Sequence, residues 1–213
     1  MPRSHVFMEK SVIIESDGLH LEGLLSEGTK PFGIVVTHPH PLYGGDMHNH
    51  VVTVVTDFFQ QKDFYTLRFD FRGVGGSQGT YDEGEGEQKD VAAAIGFLES
   101  QGVKKVVLAG YSFGAWVNAK LCQNQSFEGD MIMVSPPVGF IDFSDIEKLE
   151  ALKLVISGQN DDIAPPDQIK ELLPVWNPEA NFKVLAGGDH FYGGDKTALT
   201  QALAHYFEDK DLT

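Results

Sequence analysis

Residues 106–116 read Val106-Val107-Leu108-Ala109-Gly110-Tyr111-Ser112-Phe113-Gly114-Ala115-Trp116. A β-branched, apolar run leads into G-x-S-x-G, and a helix over 113–124 follows directly. In such a strand–turn–helix, the positions two before and two after the serine crowd its backbone. Only very small residues fit there, and Gly110 and Gly114 fill both places. The turn is expected to hold Ser112 in a strained conformation with its hydroxyl free of the sheet, as a nucleophile requires. A bare G-x-S-x-G also arises in ordinary turns. The strand before it and the helix after it give this one its meaning.

On either side of this segment, strand and helix patterns alternate. Residues 6–15 and 19–25 flank Ser16-Asp17-Gly18 and read as a hairpin. Further strands are expected at 33–37, 64–69, 104–109, 130–134, 153–157 and 182–186. Helices are expected from a cap at Asp46 to about Lys62, over 87–100 and over 197–207, with a Gly-rich polar loop at 75–86. This order specifies an α/β fold: a mostly parallel central sheet with antiparallel N-terminal strands and helices on both faces. No repeat or composition break divides the chain, so 1–213 reads as a single domain.

A serine hydroxyl needs a base to take its proton, and the base needs an orienting carboxylate. The acid and the histidine should follow the serine in that order, each past the end of a strand. After residues 153–157 comes Gly158-Gln159-Asn160-Asp161-Asp162-Ile163-Ala164-Pro165, and after 182–186 comes Gly187-Gly188-Asp189-His190-Phe191. Ligands of such sheets bind beyond the carboxyl ends of the strands, so Ser112, an acid of this loop and His190 can converge.

With these segments in place, the chain resembles an α/β-hydrolase. It is closest to small bacterial esterase-like and dienelactone-hydrolase-like members without a cap domain. The resemblance spans nearly the whole chain and includes Asp70-Phe71-Arg72-Gly73-Val74-Gly75-Gly76-Ser77, which looks like a structural D-x-R-G-x-G-x-S segment. It departs from the dienelactone hydrolases at the nucleophile, which is Ser112 rather than Cys. Related chains show G-x-x-D-x-x-x-P after the later strand. Gly158, Asp161 and Pro165 match that spacing, which favours Asp161 over Asp162 as the orienting acid. His38-Pro39-His40-Pro41-Leu42-Tyr43-Gly44-Gly45 lies where the superfamily often carries an H-G-x oxyanion loop. Phe113 and His40 are therefore the expected backbone N–H donors, since Pro39 and Pro41 have none to give. Residues 135–143 are too few for a helical cap, so the site should be open. Leu42, Tyr43, Phe140, Phe191 and Tyr192 are expected pocket walls, with Phe113, Trp116 and Phe143 as further candidates.

The implied activity is that of a serine hydrolase cleaving small carboxylic esters through an acyl-enzyme. A thioesterase or peptidase with the same residues, or a non-catalytic binding protein on this scaffold, are the alternatives. No cofactor and no metal is expected. The His38 and His40 pair would need Asp at 42 and His at 43 to complete an H-x-H-x-D-H metal pattern, and the chain has Leu42 and Tyr43. Likewise the acidic run 82–87 reads as a solvated lead into a helix. A net charge of −15 weighs against nucleic acid and polyanionic substrates, leaving a small-molecule ester as the expected partner. Cys122 is the one cysteine, which excludes an intrachain disulfide and fits a reducing cytoplasm. No apolar run suits a signal peptide or a membrane span. The oligomeric state is not written in the sequence.

Overall fold

The computed structural model describes residues 8–193 and 196–207. Lys10–Ser16 (β1) and Leu19–Ser26 (β2) form the expected hairpin. Asp17 and Gly18 turn it with φ of 50° and 79°, the pairing of positive angles that suits a tight two-residue loop. Phe32–Thr37 (β3), Tyr65–Phe69 (β4), Lys105–Tyr111 (β5), Asp130–Val134 (β6), Leu152–Gly158 (β7) and Asn181–Leu185 (β8) complete one eight-stranded sheet. Its order is β1-β2-β4-β3-β5-β6-β7-β8. The pairs β1/β2 and β2/β4 are antiparallel and all others are parallel. The first strand was expected over 6–15; it begins at Lys10, and Val6 and Phe7 lie outside the described residues.

Alternation along β5 divides the core in two. Val106 and Leu108 point to one face, with Val91 and Leu98 of Glu85–Ser100 (α2), Val117 and Leu121 of Phe113–Asn124 (α3), and Ile169 and Trp176 of Pro166–Trp176 (α4). Val107 and Ala109 point to the other, with Val51 and Phe59 of His50–Gln60 (α1) and Leu199 and Leu203 of Lys196–Ala204 (α5). Strand β3 therefore feeds a helix on one face, while its neighbour β5 feeds a helix on the opposite face. Loops diverge there and leave a crevice at the carboxyl ends of the strands.

Three details differ from the sequence reading. The first helix is capped by Asn49, not Asp46. The Asn49 side chain accepts from Val51 N–H at 2.9 Å, whereas the Asp46 carboxylate is taken by His48 N–H at 2.8 Å in a separate turn. His48 thus precedes the helix instead of sharing it with His50. The second helix starts at Glu85, because Glu87 folds back to accept from Gly84 N–H and Asp82 N–H at 2.8 and 2.9 Å. Helix α4 was not expected at all. Its signals are present in Pro166 at the first turn and in Ile169, Leu172, Leu173 and Trp176 at helical spacing, although Pro174 interrupts the pattern near its end.

The Asp70–Ser77 segment is held by buried polar groups. Ser77 Oγ donates to Asp70 O at 2.7 Å and accepts from Glu22 N–H at 2.9 Å. Asp70 in turn accepts from Met47 N–H at 2.7 Å. Arg72 donates to Asp90 through both its side chain, at 2.8 Å from Nη2, and its backbone N–H at 3.0 Å, and Ser16 Oγ adds a third partner at 2.7 Å. This joins the end of β4 to α2 and to β1. Removing one partner of a buried pair leaves a stranded charge, so Asp90→Ala is expected to lower unfolding free energy by about 3–5 kcal/mol in urea titrations. Lys89→Ala breaks only the exposed contact with Asp17 and should cost under about 1 kcal/mol in the same measurement.

Candidate active site

Ser112 begins α3 with φ 53° and ψ −120°, a conformation that L-residues avoid. The two glycines make this possible. A methyl group at Gly110 would stand 2.4 Å from the Ala115 nitrogen, and one at Gly114 would stand 2.6 Å from the Thr37 carbonyl oxygen. Both meet backbone, which cannot move aside, so the close approach admits only glycine.

The structure brings together the three residues expected from sequence. His190 Nε2 lies 3.0 Å from Ser112 Oγ. Its Nδ1 lies 3.0 Å from each oxygen of Asp161. A carboxylate can only accept, so Nδ1 carries the hydrogen and Nε2 is left as the acceptor facing the serine hydroxyl. An imidazole so placed can take a hydroxyl proton and later return it. Tyr111 fixes the loop that carries the ring, its hydroxyl donating to His190 O at 2.8 Å.

Asp161 is nearly buried and fully engaged. Ile163 N–H and Ala164 N–H donate to Oδ1 at 3.0 and 2.6 Å, and Ser135 Oγ donates to Oδ2 at 2.7 Å. Burial alone would raise its pKa. The hydrogen bonds from His190, Ala164 and Ser135 outweigh that and hold the carboxyl below its ordinary value, so it stays ionised. Asp162, its neighbour, is exposed.

Sequence reasoning missed Ser135. It is buried at the end of β6, with φ 45°, and its hydroxyl also lies 2.7 Å from that of Tyr192. Because Ser135 donates to Asp161, it accepts from Tyr192, which makes a chain of two hydroxyls ending on the carboxylate. Burial pushes the Tyr192 hydroxyl pKa upward, so it remains a donor. Tyr192 is thus behind the site rather than a wall of it. No local pattern marks such a serine; only the fold places it beside Asp161.

A cavity of about 530 Å³ opens over Ser112 and His190. His40, Tyr43, Phe113, Phe140 and Phe191 line it, together with Pro137, Ile141 and Ile163. Leu42 lies outside it, exposed on the short 3-10 helix Pro41–Tyr43. Trp116 and Phe143 also lie elsewhere. Trp116 packs on the core beside Phe113, and Phe143 is buried against Trp176. Residues 135–151, after β6, contain no helix.

The histidines of the 38–45 loop serve the backbone. His38 is buried; its Nδ1–H donates to Pro39 O at 2.7 Å, and its Nε2 accepts from Phe71 N–H at 3.0 Å. The bond from Phe71 N–H requires an unprotonated Nε2 and hence the neutral ring, and burial lowers its pKa to about 4. His40 caps the 3-10 helix, its Nδ1 accepting from Leu42 N–H at 3.2 Å. The His40 carbonyl accepts from Tyr43 N–H and Gly45 N–H at 3.1 and 3.0 Å.

Fold and site together define an α/β protein of the hydrolase type. A family model described as the alpha/beta hydrolase family matches residues 34–211, and the chain belongs to that family. An uncharacterised protein of Rickettsia prowazekii (strain Madrid E) is 33% identical over 198 residues, covering 87% of this chain and 83% of its own length. Among solved structures, an alpha-beta serine hydrolase homologue from Coxiella burnetii superposes with TM-score 0.86 at 32% identity, covering 96% of this chain and all of its own. A Xanthomonas campestris protein described as a serine hydrolase without lid gives TM-score 0.84 at 29% identity, covering 93% of each chain. The protein is accordingly a hydrolase without a cap.

The neutral His38 sets a pH dependence of stability. Its folded pKa lies below the unfolded value near 6.5, so the folded state binds fewer protons between the two. Stability is therefore full above about pH 6.5 and falls as pH drops toward 4, by on the order of 3 kcal/mol from this ring. His38→Gln removes the titration, so the wild-type advantage in urea should shrink over that interval. A constant difference across it would exclude the ring as the cause.

Proposed function

We propose that this hydrolase cleaves small carboxylic esters through an acyl-enzyme on Ser112. The observation that carries the reading is the unbroken hydrogen-bonded line from Ser112 Oγ through the His190 ring to Asp161. Ser112 Oγ attacks the ester carbonyl carbon as its proton passes to His190 Nε2, and the carbonyl oxygen takes the negative charge. Phe113 N–H, at the first turn of α3, and His40 N–H are the donors to that oxygen. Pro39 and Pro41 hold the second donor in a fixed backbone. When the tetrahedral adduct collapses, the C–O bond to the alcohol breaks and His190 gives the alcohol its proton. Water then attacks the acyl carbon, its proton passing to Nε2, and release of the acid restores Ser112.

Asp161 holds the tautomer that leaves Nε2 free and stabilises the imidazolium formed in each half-reaction. Its carboxylate is already satisfied by Ser135 and two backbone N–H groups, so it does not turn away from the ring.

Ser112→Ala is expected to lower turnover of 4-nitrophenyl acetate by about four or more powers of ten and to abolish labelling by a fluorophosphonate, with unfolding free energy little changed because alanine keeps the same backbone conformation. Retention of more than a few per cent of wild-type turnover would remove Ser112 as nucleophile.

Asp161→Asn should cut kcat by roughly two to four powers of ten, because the amide can hold the wrong tautomer of His190. Asp162→Asn, at an exposed neighbour screened by solvent, should cost less than about tenfold. Measuring the two side by side decides between them, and the reverse order would transfer the role to Asp162.

A further inference from the structure

The cavity over Ser112 holds no Asp, Glu, Lys or Arg side chain among its lining residues, and nearly half of those residues carry planar rings. Three of the rings stand largely in solvent at its mouth: Tyr43 is 74% exposed, Phe140 59% and Phe191 61%. Eight large apolar side chains are exposed among the described residues, so these three, with Leu42 beside Tyr43, make up half of that set. Scattered apolar residues need no explanation, but a cluster around a cavity marks a surface built to be covered.

The rings are also oriented. Tyr43 meets Phe140 edge to face at 5.9 Å, and its other side is 4.9 Å from the His40 ring. Phe191 stands edge to face with the His190 imidazole at 5.6 Å. His50 Nε2 lies 2.6 Å from the Phe191 carbonyl oxygen, so helix α1 tethers this ring's backbone. Tyr43 thus stands on the 38–45 loop with Phe140 against it, and Phe191 beside the group that protonates the leaving alcohol. Rings held this way favour another planar ring over an equally apolar flexible chain, since stacked or edge-on contact adds to area burial. A carboxylate or ammonium entering here would lose its water with no opposite charge to meet it. For anions the chain's net charge of −15 adds long-range repulsion.

We infer that the site is built for uncharged esters bearing a planar aromatic ring, seated among Tyr43, Phe140 and Phe191. This substrate class rests on the ester-cleaving reading above.

The test uses ethyl esters followed by acid release, so that no aromatic leaving group enters the comparison. Ethyl 3-phenylpropanoate is expected to exceed ethyl 3-cyclohexylpropanoate in kcat/KM by about threefold to tenfold, although the saturated ring is the more hydrophobic. A para-carboxylate on the phenyl ring should lower kcat/KM at least tenfold further. Phe140→Leu keeps apolar bulk but removes one of the planar faces, so it should lower the phenyl-to-cyclohexyl ratio, and the Phe140→Leu/Phe191→Leu pair should bring it close to one. Equal or better turnover of the cyclohexyl ester by wild type, or acceptance of the carboxylate, would overturn the aryl site. Turnover of 4-nitrophenyl acetate by the same preparation would show that the Ser112 chemistry survives that failure. If no ester is turned over and the fluorophosphonate does not label, the ester reading fails and the substrate class with it.

Discussion

The structure depends on how closely the start of α3 approaches the ends of β3 and β5. Gly114 lies so near the Thr37 and His38 carbonyls that a side chain there would overlap them. That contact fixes the 38–45 loop against the turn carrying Ser112. The same packing holds Ser112 at φ 53°, a cost of order 1–3 kcal/mol met by the surrounding core. Because β3 and β5 are neighbours whose helices lie on opposite faces, the strain is placed at the one crevice the sheet topology opens.

Around this contact the protein uses buried polar groups where apolar packing would leave the loops free to drift. His38 bridges Pro39 O and Phe71 N–H, tying the loop after β3 to the segment after β4. Asp70 reaches Met47 N–H in the same region, and Arg72 with Asp90 anchors that segment to α2. On the other side, Asn160 N–H donates to Gly188 O at 2.8 Å and joins the loop of Asp161 to the loop of His190. Each bond satisfies a polar group, mostly of the backbone, that burial would otherwise strand, and each also sets a loop position. Positioning of Ser112, Asp161 and His190 is therefore shared between bonds made to them directly and bonds that touch none of them.

What could be read from the sequence follows from which signals are local. The strands were legible because β-branched runs end in Gly, Pro and Asp. Ser112, Asp161 and His190 stood out because each follows such a run in a fixed order. The start of α1 was misplaced because Asp46 and Asn49 are both competent caps, and only the turn between them decides which one serves the helix. Helix α4 was hidden by its two prolines, Pro166 and Pro174, which read as loop unless the first is recognised as an N-terminal residue. Tyr192 reads as a wall in the sequence because an aromatic beside His190 looks like one. At φ 50° its ring turns inward, and its hydroxyl meets a serine 57 positions away. Such contacts are fixed by topology and leave no mark in local spacing.

Without a cap, selectivity at this site cannot come from closure over the substrate. It has to come from groups already in place, and the structure shows them held. His40 is clamped through its carbonyl and its Nδ1, the backbone of Phe191 is held from α1, and Asp161 has no free lone-pair direction toward solvent. A site of this kind gives up the exclusion of water that a lid provides, but it avoids the cost of ordering a mobile segment at each turnover. Its strength then depends on how well fixed dipoles match the charge that develops on the substrate, and those dipoles need no reorganisation when that charge appears. On the inference drawn above, the exposed rings have the same origin: with no lid to carry apolar surface to the substrate, the rim itself carries it and stands uncovered in the free protein.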